Sequence, residues 1–220
     1  DQKVLTLAFP GGPYQRDHTD TRLATKYYIA ARGGTGQINP ANLINYRQTC
    51  SVGNGIRVAD GSRTNLENLI DIEKAYRPAQ YRGWCVTHFH RVNEDDKPQL
   101  EQGFAWLQEH RADIWTGLFR EVAQYGQQRD TAKLSVTAVE NGTIRLTLTD
   151  DMNDERFDFP LTLKVRLPEA WKSCSATQDG KQILSRIIQH DDASFALLQA
   201  VPDRGEIVLL STTPTSTIQQ

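Results

Sequence analysis

Apolar and polar positions change rhythm once along the chain, near residue 131. Upstream of that point, strand-like runs alternate with helix-like stripes. Residues 4–9 form a short apolar run stopped by Pro10, Gly11 and Gly12, which predicts a strand ending in a loop. Leu23, Ala24 and Tyr27 have helical spacing, and residues 28–31 read as a second strand closed by Gly33 and Gly34. Residues 34–62 are rich in Gly, Asn and Pro, with one strand expected near 50–52. Thr64 and Glu67 have the spacing of a capping box, followed by Leu66, Leu69, Ile70 and Tyr76 on one helix face. Residues 84–90 predict a strand, and Pro98 suits the first turn of a helix carrying Leu100, Phe104 and Leu107. A short strand at 113–115 and a last helix through Leu118, Val122 and Tyr125 complete this part. Such alternation predicts a parallel α/β architecture.

Downstream, the period becomes two. Leu134, Val136 and Ala138 alternate with polar residues, as do Ile144, Leu146 and Leu148. Asn141-Gly142 between them is a strong hairpin signal, and it explains the Asn141-Gly142-Thr143 triplet better than glycosylation does. Leu161, Leu163, Val165 and Leu167 repeat the alternation, and further strands are expected near 183–188, 195–201 and 207–210. Six short strands in this span predict an antiparallel β-sandwich. The expected domains are therefore an α/β part at 1–130 and an all-β part at 131–220.

Composition narrows the function. The chain has 220 residues with 25 Lys and Arg against 27 Asp and Glu, a formal charge of −2. That balance argues against a general nucleic-acid binder. No apolar run reaches the roughly 18–20 residues of a membrane helix, so no membrane span is expected. The three cysteines have no metal-type spacing and read as free thiols. With Asp1 first, the start of the chain reads as processed or otherwise defined, not as an initiator methionine.

In parallel α/β architectures, reactive side chains gather at the C-terminal ends of strands. Two such ends stand out. The loop Pro10-Gly11-Gly12 and the following Tyr14 would let backbone N–H groups approach a ligand, or would simply be a strand-end turn. At the other, period two puts the imidazoles of His88 and His90 on one strand face. That pattern suits a metal pair, a single general acid or base, or one core and one surface histidine. Trp84, Trp106 and Trp115 could stack on a sugar, though core packing is the commoner use of such residues. Glu94, Asp95 and Asp96 abut a Pro-initiated helix and serve its N-terminus. The acidic run 150–155 reads as a solvated loop, with a Ca²⁺ site as the alternative. No GxGxxG, P-loop or GxSxG motif occurs.

Taken in order, LAFPGGPY, KYYIAARGG, INPANLINYR, GWCVTHFHRV and ADIWTGLFREVAQYGQQR resemble the later half of polysaccharide deacetylases, the NodB-homology carbohydrate esterases. The resemblance covers about residues 5–130, with 131–212 resembling a β-sandwich appended in one subgroup. It implies the C-terminal part of a (β/α) barrel followed by a sandwich, and a metal-dependent carbohydrate deacetylase activity. It makes His90 the general acid with His88 its neighbour, and gives substrate contacts to Pro10, Gly11, Gly12, Tyr14 and Trp84. It also implies zinc, held by ligands outside this chain, since no TFDDG-like segment and no H-x-x-x-H occurs here. The partners then expected are a carbohydrate substrate and the enzyme's N-terminal half, as a separate chain or a second copy. The expected location is secreted or periplasmic. The alternative reading is a non-catalytic carbohydrate-binding or scaffolding module.

Overall fold

A computed structural model describes residues 3–12, 19–34, 36–53, 56–58, 64–140 and 142–212. The fold is mostly sheet, with few helices. It divides into two compact units, Asp1–Ala123 and Gln124–Gln220. The division falls inside a helix, α4 (Phe119–Thr131).

In the first unit, β1 (Thr6–Ala8) pairs in parallel with β2 (Ala30–Arg32), and β3 (Val52–Gly53) pairs in parallel with β4 (Thr87–His88). An isolated parallel bridge joins Arg32 to Thr49, three residues before β3, and the two pairs are separate sheets. Both pairs are parallel and their strands are only two or three residues long. No (β/α) barrel is evident, which corrects the barrel part of the expectation. A helix, α1 (Thr19–Ala24), does separate β1 from β2, but residues 33–51 join β2 to β3 with no helix among the described residues. Without that alternation, and with strands of two or three residues, the array has neither the strand number nor the stagger that closure requires.

The loops of this unit are held by buried amides instead. Asn39 is 2% exposed, and its Nδ2 donates to the carbonyls of Cys50 and Trp84, both at 3.0 Å. Its Oδ1 accepts from the Cys50 N–H at 2.8 Å. The backbones of Asn39 and Trp84 also exchange two hydrogen bonds. The helix expected from Thr64 shortens to one turn, α2 (Glu67–Ile70). Asn65 Oδ1 accepts from the Asn68 N–H, and Asn68 Nδ2 donates to buried Gln80, so polar bonds replace the long apolar stripe. Tyr76, expected on the helix face, is exposed. The strand expected at 113–115 is absent, and that expected at 84–90 is reduced to β4. By contrast, α3 (Lys97–Glu109) carries Pro98 in its first turn, as its sequence predicts. Residues Glu94–Asp96 form one 3₁₀ turn before it, with Asn93 and Asp96 in a reciprocal capping box. Leu100, Trp106 and Leu107 of α3 pack on a core of Ile38, Ile56, Leu66 and Leu69, whereas Phe104, expected on the same stripe, is exposed.

The second unit is two antiparallel sheets sharing one apolar core. One sheet has the order β10 (Ser185–His190), β11 (Ala193–Ala200), β7 (Leu161–Arg166). The other runs β5 (Lys133–Glu140), β6 (Thr143–Thr149), β12 (Ile207–Ser211), β8 (Cys174–Gln178), β9 (Lys181–Gln182). Ile144, Leu146, Leu148, Ala176, Ile207 and Leu209 of the second sheet meet Leu163, Ala196, Leu198 and Ala200 of the first. Along β6, buried and exposed residues alternate strictly, which is what a sheet with one face on a core requires. The β5–β6 hairpin pairs Glu140 with Thr143 across a two-residue loop, and Gly142 has φ 74°. Asn141 lies outside the described residues. The last part of α4 belongs to this unit: Gln124 Nε2 donates to the Arg156 carbonyl and Asp158, and Gln128 Oε1 accepts from the Phe159 N–H.

Candidate functional site

Arg32, Gly53 and His88 lie at the C-terminal ends of β2, β3 and β4, with Ser51 just before β3 and His90 two residues after β4. Arg32 closes β2 directly after Ala30 and Ala31, each 2% exposed, so the chain leaves the core with a guanidinium at its rim. Arg32 Nη1 donates to Ser51 Oγ at 3.2 Å and to the Gly33 carbonyl at 3.3 Å. Ser51, itself buried, donates its hydroxyl to the same carbonyl. This fixes the guanidinium against the sheet.

His88 lies opposite Gly53 in the β3–β4 register. A Cβ at Gly53 would sit 3.2 Å from His88 Nε2 and 3.3 Å from Cε1, so glycine there lets the imidazole lie close over the neighbouring strand. His88 Nδ1 is buried, and among the described residues nothing hydrogen-bonds to it. The His90 ring stands perpendicular to that of His88, with centroids 5.8 Å apart. Phe89, between them, packs on the core instead, as period two requires. His90 is exposed and His88 half-buried. Burial, then the positive charge of Arg32, then His90, hold the His88 pKa below its ordinary value of 6.5. A neutral imidazole is therefore the favoured form near neutral pH, able to accept a proton or a hydrogen bond.

A pH dependence follows with a definite sign. The unfolded chain protonates His88 near the ordinary value, while the folded chain resists until a lower pH. Stability associated with this residue is therefore present above the ordinary value and lost as pH falls below it. Melting the protein at about pH 7.5 and about pH 5.5 should show a lower transition in acid, and His88→Gln should shrink that difference. An unchanged difference in the variant would remove His88 from the account.

The other sequence candidates fall as follows. Gly11 and Gly12 adopt φ of 66° and 97°, a left-handed pair that only glycine takes without strain. The Gly12 N–H donates to the Phe9 carbonyl at 3.2 Å, so that donor closes the turn and does not point at a ligand. Pro10 is exposed, and the loop begins beside Arg32, whose carbonyl accepts from the Phe9 N–H at 3.0 Å. Tyr14 lies outside the described residues. Trp84 stacks on Phe119 with centroids 5.0 Å apart, so one of its faces is occupied by protein. Burial pushes the Cys85 thiol up to about 11 and that of Cys174 upward as well, and all three cysteines are free.

Sequence reasoning missed Arg32 and Ser51. The signal was present as a single charged residue ending a short apolar strand before Gly33-Gly34.

Among the described residues, no third His, Cys or carboxylate joins His88 and His90 closely enough to share a metal ion. The one such group is Asp150, Asp154 and Asp203 in the second unit, with ligand atoms within 4.8 Å of one another. Backbone N–H groups engage part of that cluster: Asp203 Oδ2 accepts from the Asp150 N–H in a long-range contact, and Asp150 Oδ1 accepts locally from the Met152 N–H. Among the described residues no helix is long and apolar enough to cross a membrane.

Comparison with known proteins gives one informative likeness. The chain is 35% identical over 231 aligned residues to a gellan lyase of Bacillus sp, an alignment covering 94% of this chain and 9% of that protein. The chain thus spans less than a tenth of the curated relative it matches. No family model matches the chain, and no solved structure matches it. The likeness corrects the activity expected above: the relative is a polysaccharide lyase, not a deacetylase, so deacetylase hydrolysis is withdrawn as the function of this chain. The zinc and the acid role of His90 are implied by the deacetylase resemblance alone.

Proposed function

We propose that this chain is a polysaccharide-engaging segment of a large lyase-type enzyme, and that it engages the glycan at the strand ends carrying Arg32, His88 and His90. The observation that carries this reading is the 35% identity to a gellan lyase along 94% of the chain. The site's chemistry supports it: a fixed guanidinium, two imidazoles and an exposed rim suit a hydroxyl- and acid-bearing sugar chain. At 9% of the relative's length, the segment contributes binding, while elimination belongs to the whole enzyme. A location outside the cytoplasm goes with a polymer of that size.

Affinity electrophoresis of the 220-residue chain through gels containing gellan tests this directly. Gellan should retard the chain, and Arg32→Gln should abolish most of the retardation. Migration unchanged by gellan would overturn the reading. Release of unsaturated uronyl ends by the chain alone would overturn the binding-only assignment and make the segment itself catalytic.

A further inference from the structure

We propose that β5 is a self-complementary docking edge, on which a second copy of this chain pairs antiparallel about a two-fold axis at Val136. The inference concerns the second unit and does not depend on the glycan reading. β5 ends the five-stranded sheet, with β6 on one side and, among the described residues, no strand on the other. Leu134, Val136 and Val139 lie opposite Leu148, Leu146 and Ile144, so they share the sheet face that carries the core. Those β6 partners are buried, yet Leu134, Val136 and Val139 are 46%, 61% and 63% exposed. The facing sheet has three strands against five and leaves this apolar strip uncovered. Other edges carry features that discourage pairing. β9 has two residues, and β7 sets Lys164 and Arg166 on its exposed side. β5 has six uncharged residues between its terminal Lys133 and Glu140.

Charge and register identify the occupant as a second copy. The β5–β6 register shifts between Val136 and Ala138, which leaves Thr137 as an inserted residue. Along the ladder, Lys133, Leu134 and Ser135 therefore precede Val136, and Ala138, Val139 and Glu140 follow it, three positions on each side. With Val136 opposite its own mate, an antiparallel second copy sets its Val139 against Leu134 and its Glu140 against Lys133. Each contact occurs twice, as an isologous interface requires. Opposed residues share a face, so the two apolar strips meet on the core side. A slip of one position would turn one strip to the other face, and a parallel pair would set like charges together at both ends. Lys133 Nζ also holds Asp151 at 3.0 Å, but both side chains are well exposed and such a pair contributes little. In the dimer Lys133 stands between Asp151 and the second copy's Glu140. Among the described residues no cation pairs with Glu140. One strand edge is a small interface, so the dimer is weak, with a dissociation constant of about 10–100 µM.

Sedimentation velocity of the 220-residue chain, from about 2 µM to about 500 µM at low salt, tests this. Monomer should give way to dimer with no larger species, because a two-fold contact consumes the edge it uses. Lys133→Glu and Glu140→Lys each set like charges opposite one another at both ends, and each should weaken the dimer at least about 10-fold. The double variant exchanges the signs and should return the dissociation constant to within about 3-fold of the parent. Asp151→Asn should not weaken the dimer, which separates pairing across the interface from the ion pair within one copy. Val136→Asp puts two carboxylates on the axis and should abolish the dimer, with circular dichroism and melting at about 2 µM showing the parent fold. If that variant melts early, the charge-exchange series decides alone. A monomer throughout the concentration range would overturn the proposal. So would a dimer indifferent to both charge reversals, or a double variant no tighter than the single ones.

Discussion

Asn39→Leu should destabilise the first unit by at least about 3 kcal/mol, because it strands backbone groups while keeping the number and branching of the side-chain heavy atoms. Asn39 is 2% exposed, and its amide satisfies both the N–H and the carbonyl of Cys50. Leucine can satisfy neither. Each backbone group left buried without a partner costs about 1–3 kcal/mol, and the Trp84 carbonyl loses one of its two donors besides. The consequence reaches the site. Cys50 lies just before Ser51 and β3, and Trp84 lies three residues before β4, so Asn39 sets the two segments that deliver Ser51, Gly53 and His88. Urea denaturation followed by circular dichroism measures the loss. The same variant should also weaken gellan retardation without touching a ligand-facing side chain. A stability within about 1 kcal/mol of the parent would show that the loops are held by something other than this amide.

Two local signals were legible in the sequence because each rests on chemistry confined to a few residues. Pro98 with a following apolar stripe marks α3, and alternation marks β6, since both depend only on neighbours along one element. Where long-range polar bonds decide, the pattern misleads. Thr64 and Glu67 have the spacing of a helix start, yet the segment turns after Ile70, because Asn65, Asn68 and Gln80 bond to one another where a longer helix would run. Likewise β5 carries Leu134 and Val136 at alternating positions, but it is an edge strand with a register shift between Val136 and Ala138, and its apolar residues lie outside. Asp179-Gly180 is a further hairpin signal in the sequence. Both residues take positive φ and join β8 to β9 with Gln178 opposite Lys181.

The candidate site was legible only in part, for a related reason. The spacing of His88 and His90 fixes their common face through strand geometry alone. Arg32 joins them through parallel pairing across more than fifty residues of sequence, which no local pattern encodes. The activity was misread because a loop of prolines and glycines and a strand-end histidine recur in enzymes of different chemistry. Function is a property of the completed site, not of the scaffold that carries it. In this chain the Gly12 N–H, the donor that an acyl-transfer reading needs, is already bonded to Phe9.

Leu209→Ala should cost the second unit about 2–5 kcal/mol, in the upper part of the range for buried leucines. Leu209 sits on β12, the middle strand of the five-stranded sheet, and is 0% exposed. Its cross-strand neighbours are Ile144 and Ala176, and the facing sheet brings Ala196, Leu198 and Ala200 to the same core. Alanines have no rotamers with which to fill a void, and both flanks of β12 are pinned by ladder hydrogen bonds. The cavity should therefore persist, and the cost of lost contacts adds to the lost transfer energy. Val136 provides the contrast on the same sheet. It is 61% exposed on edge strand β5, so Val136→Ala should change stability by no more than about 0.5 kcal/mol. Chemical denaturation of both variants checks the pair. Equal losses would mean that the two sheets are not joined through the core that Leu209 occupies, and that β5 is buried in the folded protein.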